Sequence, residues 1–183
     1  MHLRWLRFLA SIRRPKQVAV RVRPKLSEEP IWDKTKGELR ILGQRHAAVD
    51  IQGLCEHLDL IVGAMVAEVL MNQHEFRQGK EDAASIRQEK PEAAIQELLD
   101  SFADAEALSG VGVVKVAIPE ASLSPIDVEI SNPCVKQTTG AAKSFLFSYW
   151  CGIFSELFGK EFKIDQVAYD ENKNLMKCRI IPK

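Results

Sequence analysis

Residues 144 to 162, SFLFSYWCGIFSELFGKEF, carry more than half of the chain's aromatic side chains, and no other segment narrows the choice of fold as much. At about 100° per residue, Leu146, Trp150, Ile153 and Leu157 fall on one stripe of a helix, with Phe147, Cys151, Phe154 and Phe158 on a second stripe beside it. A helix apolar over so much of its circumference has to be covered on several sides. The remaining sector holds Ser144, Ser148, Gly152, Ser155 and Gly159. Small residues in a row admit a second backbone at close range or leave a groove. Two readings stand side by side. The helix is the packed centre of a core or dimer interface, or it is one wall of a pocket for a hydrophobic molecule, since such pockets are largely apolar with few polar groups.

The chain has 183 residues, 46% hydrophobic and 27% charged, which suits one domain with its own core plus an arm. The formal net charge is zero, but the charges are unevenly placed. Arg4, Arg7, Arg13, Arg14, Lys16, Arg21, Arg23 and Lys25 precede the first acid, so a basic arm leads into an acidic domain. Anionic lipid, nucleic acid, or the acidic body of its own or a neighbouring chain are the partners such an arm suits; nucleic acid is the least expected. Cys55, Cys134, Cys151 and Cys178 form no CxxC pair and no cleavable signal precedes them. Reduced thiols and a cytoplasmic location are expected, with peripheral membrane contact through the arm as an alternative. No apolar run reaches the roughly 20 residues that span a bilayer.

The opening MHLRWLRFLASIRRP gathers Trp5, Phe8, Leu9 and Ile12 on one side of a helix that Pro15 ends. It fits packing, membrane-surface contact or targeting. QVAVRVR alternates as a half-buried strand, Pro24 to Gly37 reads as a loop, and ELRILGQRHAAVD as a short strand or turn before a helix with Asp50 as N-cap. From Ile51 to about Gln78 the residues Leu54, Leu58, Ile61, Met65 and Val69 recur at helical spacing, widened by Val62, Val66 and Leu70, with Gly63 marking a close contact or kink. A charged turn is expected over QGKEDAASIRQEKP, then a third helix through PEAAIQELLDSFADAEALSG, stopped by Gly110. VGVVKVAIP and IDVEISN read as an antiparallel pair. After the aromatic helix, DENKN supplies the turn of a hairpin between Lys163 to Tyr169 and Met176 to Ile181.

The chain contains no P-loop, GxGxxG, GxSxG, HExxH or EF-hand pattern, so no catalytic residue is assigned. Cys55 and His57 are two apart on a helix and point in different directions, which argues against a shared zinc ion. His46 and His74 have no ligand-spaced partners. Cys151 reads as a small hydrophobe, and Cys134, after Pro133, is the cysteine to test for reactivity.

The order of these elements resembles the V4R family (4-vinyl reductase, or hydrocarbon-binding domain), which shares a fold with TRAPP trafficking subunits. The resemblance covers roughly residues 39 to 181. It is carried by LCEHLDLIVGAMVAEVLMNQ, ALSGVGVVKV, VEISNP and, most specifically, WCGIFSELFGKEFKIDQVAYDENKNLMKCRI. It implies an α+β single domain over residues 39–183, an antiparallel sheet packed on several helices, preceded by a basic arm and loop over 1–38. In zinc-binding members a cysteine near the start of the closing helix joins an acid-x-x-Cys unit and a last cysteine on the hairpin. Cys178 fits the last position and Asp165 the acid, but Ala168 replaces the middle cysteine and residues 142 to 145 offer none. The resemblance therefore implies a degenerate zinc site, and no cofactor is expected.

The family includes sensor domains for small aromatic or hydrocarbon molecules, so it implies binding more than turnover. The expected function is a non-catalytic, regulatory or sensory module for a hydrophobic or aromatic small molecule. Its expected lining residues are Met65, Leu70, Tyr149, Trp150, Ile153 and Phe154, and it is expected to form a homodimer. A TRAPP-like scaffold making dimer, membrane or protein contacts is the alternative. A third reading, an enzyme or accessory factor of tetrapyrrole (bacteriochlorophyll-type) metabolism, rests on the family's name.

Overall fold

The computed structural model describes residues 31–33, 38–41, 44–46, 50–118 and 125–183, the first three segments by backbone alone. The expected opening helix and the QVAVRVR strand lie outside the described residues. The chain divides into two compact units, Met1–Val49 and Asp50–Lys183. In the first, β1 (Ile31–Asp33), β2 (Glu38–Ile41) and β3 (Gln44–His46) form an antiparallel meander in which Trp32 pairs with Leu39 and Arg40 with Arg45. β1 falls within the stretch read as loop; Ile31 and Trp32 are good strand formers that follow directly on a proline.

The second unit is α+β. It contains α1 (Ile51–Val62), α2 (Ala64–Glu89), α3 (Ile95–Leu108), β4 (Val113–Ala117), β5 (Ile126–Ser131), α4 (Gly140–Phe158), β6 (Phe162–Asp170) and β7 (Leu175–Pro182). The sheet order is β4-β5-β7-β6, antiparallel throughout, with Val128 opposite Cys178 and Val167 opposite Cys178 on its other side. Both the β4–β5 pair and the β6–β7 hairpin are as expected. The hairpin turn is tied to the end of β5 by Asn174, whose amide nitrogen donates to Asn132 Oδ1 (3.0 Å) and whose Oδ1 accepts from the Tyr169 hydroxyl (2.8 Å). Inward positions of the strands, Val114, Val128, Ile130, Met176, Cys178 and Ile180, are buried.

Asp50 caps α1 as expected, its Oδ1 accepting from the Gly53 amide at 3.0 Å. Gly63, with φ +82° and open space where a Cβ would sit, turns the chain from α1 into α2. That turn resets the helical phase. The expected stripe through Ile61, Met65 and Val69 is consequently not a core face. These three side chains are exposed, together with Leu60, Val62, Val66 and Leu70. The buried face of α2 is instead Ala67, Met71, Glu75, Gln78, Gly79 and Ala83.

α2 also continues through the stretch expected to be a charged turn. Gln78 donates to Asp82 (2.8 Å) and Arg77 pairs with Glu81 (3.7 Å), both at i,i+4 spacing along the helix. Gly79 is present there for close approach. A Cβ on Gly79 would lie 2.1 Å from the Tyr149 carbonyl oxygen, and a Cβ on Gly152 would lie 2.1 Å from the Phe76 carbonyl oxygen. The two helices run in the same direction, with Glu68 beside Lys143 and Lys80 beside Glu156, and their backbones touch at this crossing. Gly152→Ala, which drives a methyl into main chain that has nowhere to move, is expected to lower stability by about 3 kcal/mol or prevent folding. A urea titration of the two proteins measures it, and an unchanged midpoint would contradict the crossing.

Candidate ligand-binding region around the central helix

α4 is buried along nearly its whole length, from Gly140 to Leu157, with Lys143 and Glu156 half-buried. Three surroundings hold it. Its N-terminus receives a cap from outside the helix: the Ala141 amide donates to Asp59 Oδ1 of α1 at 3.0 Å, where a carboxylate also complements the helix dipole. Gly140 permits this, since a Cβ there would strike the Asp59 carboxylate. On the α2 side, the Ser144 hydroxyl donates to the Glu68 carbonyl (3.0 Å), Lys143 pairs with the Glu68 carboxylate, and Lys80 lies 3.9 Å from Glu156. Tyr149 reaches between α2 and α3, its hydroxyl donating to Asp82 (3.1 Å) and its ring meeting Phe102 edge-on at 6.3 Å.

On the sheet side the aromatic residues form a continuous layer. Trp150 meets Phe154 at 5.8 Å, Phe154 meets Phe162 of β6 at 6.0 Å, and Phe158 meets Phe162 at 5.9 Å. Ser155 fixes that strand to the helix, its hydroxyl donating to the Cys151 carbonyl (2.6 Å) and accepting from the Phe162 amide (3.0 Å). Two polar atoms of α4 are buried without a hydrogen-bond partner: Trp150 Nε1, in this aromatic layer, and Ser148 Oγ, in the small-residue row between Ser144 and Gly152 that meets α2. Buried N–H and O–H groups are nearly always paired, which makes the two atoms informative.

The sequence-predicted lining residues separate into two groups. Tyr149, Trp150, Ile153 and Phe154 are all buried on α4, with Trp150 and Phe154 in contact and Ile153 against the Gly79 crossing. Met65 and Leu70 are on the exposed crest of α1 and α2, at 81% and 52% exposure, and are not brought to the other four. Asp82, Phe102 and Gly79, which position Tyr149 and the crossing, were not legible as site residues, because Gly79 and Asp82 sit in the stretch whose charge suggests a turn.

The outer face of the sheet carries an open cleft of about 310 Å³ bordered by Asp127, Glu129, Gln166, Lys177 and Arg179. Its charges cancel in pairs, Arg179 to Asp127 at 3.3 Å and Lys177 to Glu129, and Val128, Ala168 and Cys178 complete its border. Among the described residues no group of three or more His, Cys, Asp or Glu is placed to hold a metal ion, and no helix is long and apolar enough to cross a membrane. Cys55 is buried while the exposed His57 bonds the Gly53 carbonyl at 2.8 Å, so the two do point apart.

Burial pushes the Cys55 thiol up to about 12, with Cys134 and nearby carboxylates adding to it, and burial raises Cys151 and Cys178 further still. Cys134 is half-buried. These three raised thiols ionise near 9 in the unfolded chain. Above that pH the unfolded state binds fewer protons than the folded one, so their contribution is complete below pH 9 and is lost as pH rises toward 12. Two outcomes are expected: a melting temperature that declines above pH 9, and at pH 8 a thiol-specific chromogenic reagent that reacts quickly with Cys134 and slowly with the other three. Fast labelling of Cys55 in native protein would contradict its placement.

No protein-family model matches this sequence, and no curated protein matches it with significance. Among solved structures, the phenol-responsive sensory domain of the transcription activator PoxR has the same fold, with a TM-score of 0.62 at 16% identity, covering 86% of each chain. Two H-NOX structures, the Cs H-NOX with 4-cyano-L-phenylalanine at site 5 and a point mutant of the T. Tengcongensis H-NOX, align at TM-scores of 0.41 and 0.39. Both are 14% identical over 79% of this chain, and the alignments cover 78% and 79% of theirs; at those scores they carry no further argument.

Proposed function

We propose that this chain is a regulatory small-molecule-binding module of V4R type, taking a hydrophobic or aromatic ligand against α4 without transforming it. The observation that carries the reading is the partnerless Trp150 Nε1, buried inside an otherwise aromatic layer. An apolar wall with a few placed polar groups is how small-molecule sites are built. The fold shared with a sensory domain described as phenol-responsive supports it. Tyr149, Trp150, Ile153 and Phe154 are the lining residues of this proposal. No cofactor forms part of it, because Ala168 and the residues at 142 to 145 supply none of the thiolates a zinc site of the family type needs.

Native mass spectrometry of the purified full chain is expected to show a retained mass that is lost on denaturation. Calorimetric titration with phenol and naphthalene is expected to give saturable binding at one site per chain. A chain with no added mass that binds neither arene would overturn the reading.

A second reading, a scaffold that assembles through an apolar surface, is favoured by one observation. Leu60, Ile61, Val62, Met65, Val66, Val69 and Leu70 are all exposed within one stretch, and clustered exposed apolar side chains mark interaction surfaces. No Lys or Arg occurs from Asp50 to Phe76, so the crest is not suited to anionic lipid, and Glu68 is already paired with Lys143. An uncharged patch fits a second copy of itself. Ile61→Glu with Met65→Glu, both at exposed positions, is expected to shift the sedimenting species from dimer to monomer. A wild-type chain that sediments as a monomer at all concentrations would remove this reading.

A further inference from the structure

We infer that the apolar crest of α1 and α2 associates with the same crest on a second copy of this chain, and that Lys143 of α4 controls the association by neutralising Glu68 at the crest's edge. This rests on the scaffold reading above and adds how that surface is regulated. From Leu58 to Gln73 the only charged residues are Asp59 and Glu68. α4 answers both. Asp59 accepts from the Ala141 amide at 3.0 Å, and Glu68 is held twice, its carboxylate by Lys143 and its carbonyl by the Ser144 hydroxyl at 3.0 Å.

Glu68 stands at the border between the crest and the face that meets α4. Met65, three residues before it, and Val69, directly after it, are exposed, and side chains three apart are neighbours on a helix surface. About a third of the Glu68 side chain is itself open to solvent. In a two-fold interface the same patch is used on both subunits, so a bare carboxylate at this edge brings a like charge to the contact from each copy. With Lys143 in place the crest is neutral and complementary to itself. Its size also fits: the seven exposed apolar side chains present on the order of 800 Å², about one partner's share of a standard interface. Gly63, at the turn between the helices, puts no side chain in the way of the partner.

Sedimentation equilibrium of the full chain against Lys143→Met, which keeps the side-chain length and removes the charge, tests this. The wild-type chain is expected to dimerise with an affinity that changes little with salt. Lys143→Met is expected to raise the dissociation constant about tenfold at low salt, and by less at high salt, where repulsion between exposed charges is screened. Adding Glu68→Gln to that variant is expected to restore the wild-type value, because no unpaired charge remains. Should Lys143→Met fail to fold, Glu68→Lys, which sets two cations at the same edge, decides with the same expected weakening. A dimer as tight in the variant as in the wild type, or a loss that Glu68→Gln does not repair, overturns the inference and leaves the scaffold reading in place. A wild-type chain that is monomeric at all concentrations, including one that floats with phosphatidylcholine vesicles, overturns both.

Discussion

The contact of two backbones at Gly79 and Gly152 is the constraint from which the arrangement of the second unit follows. With no Cβ on either helix at the crossing, α2 and α4 lie closer than any other pair of side chains would allow. That proximity brings the Tyr149 hydroxyl to Asp82 and the Ser144 hydroxyl to the Glu68 carbonyl. It also explains why the buried face of α2 consists of Ala67, Gly79, Ala83 and polar side chains alongside Met71: large apolar groups have little room there. The row of small residues on α4 is therefore used inside the chain. It is not left as a groove or offered to a second subunit.

Because one side of α4 is given to backbone contact, its bulk is displaced to the other sides. The aromatic side chains concentrate toward β6, where Trp150, Phe154, Phe158 and Phe162 meet in tilted and edge-on contacts, and Ser155 ties the strand to the helix at the far end of that layer. The outer face of the sheet, by contrast, carries cross-strand ion pairs. The aromatic layer between α4 and the sheet is thus where apolar volume and the partnerless Trp150 N–H coincide.

Much of this was legible in the sequence, and the failures share a physical origin. The strand pair, the closing hairpin, the Asp50 cap and the buried aromatic helix all announce themselves through period, turn chemistry or hydrophobicity. The α2 helix did not. Its buried face is only partly apolar, so a search for an apolar stripe settles on Ile61, Met65 and Val69, which lie outside, and takes Met65 and Leu70 with them as lining residues. Its glycine, set among charges, resembles a turn signal, whereas it marks a crossing that only the partner helix reveals. Asp59, which caps α4 from 82 residues away in sequence, has no local signature at all.

The choice of tryptophan at position 150 bears most directly on function. An unpaired buried N–H costs about 1–3 kcal/mol, a considerable share of the roughly 5–15 kcal/mol that holds a domain together. Phenylalanine would fill most of the same volume without that cost, and the same helix uses it at Phe145, Phe147, Phe154 and Phe158. A helix whose only task was to fill a core would be more stable with a fifth. A donor kept at this position, inside a layer otherwise composed of rings, is a cost that packing alone does not repay.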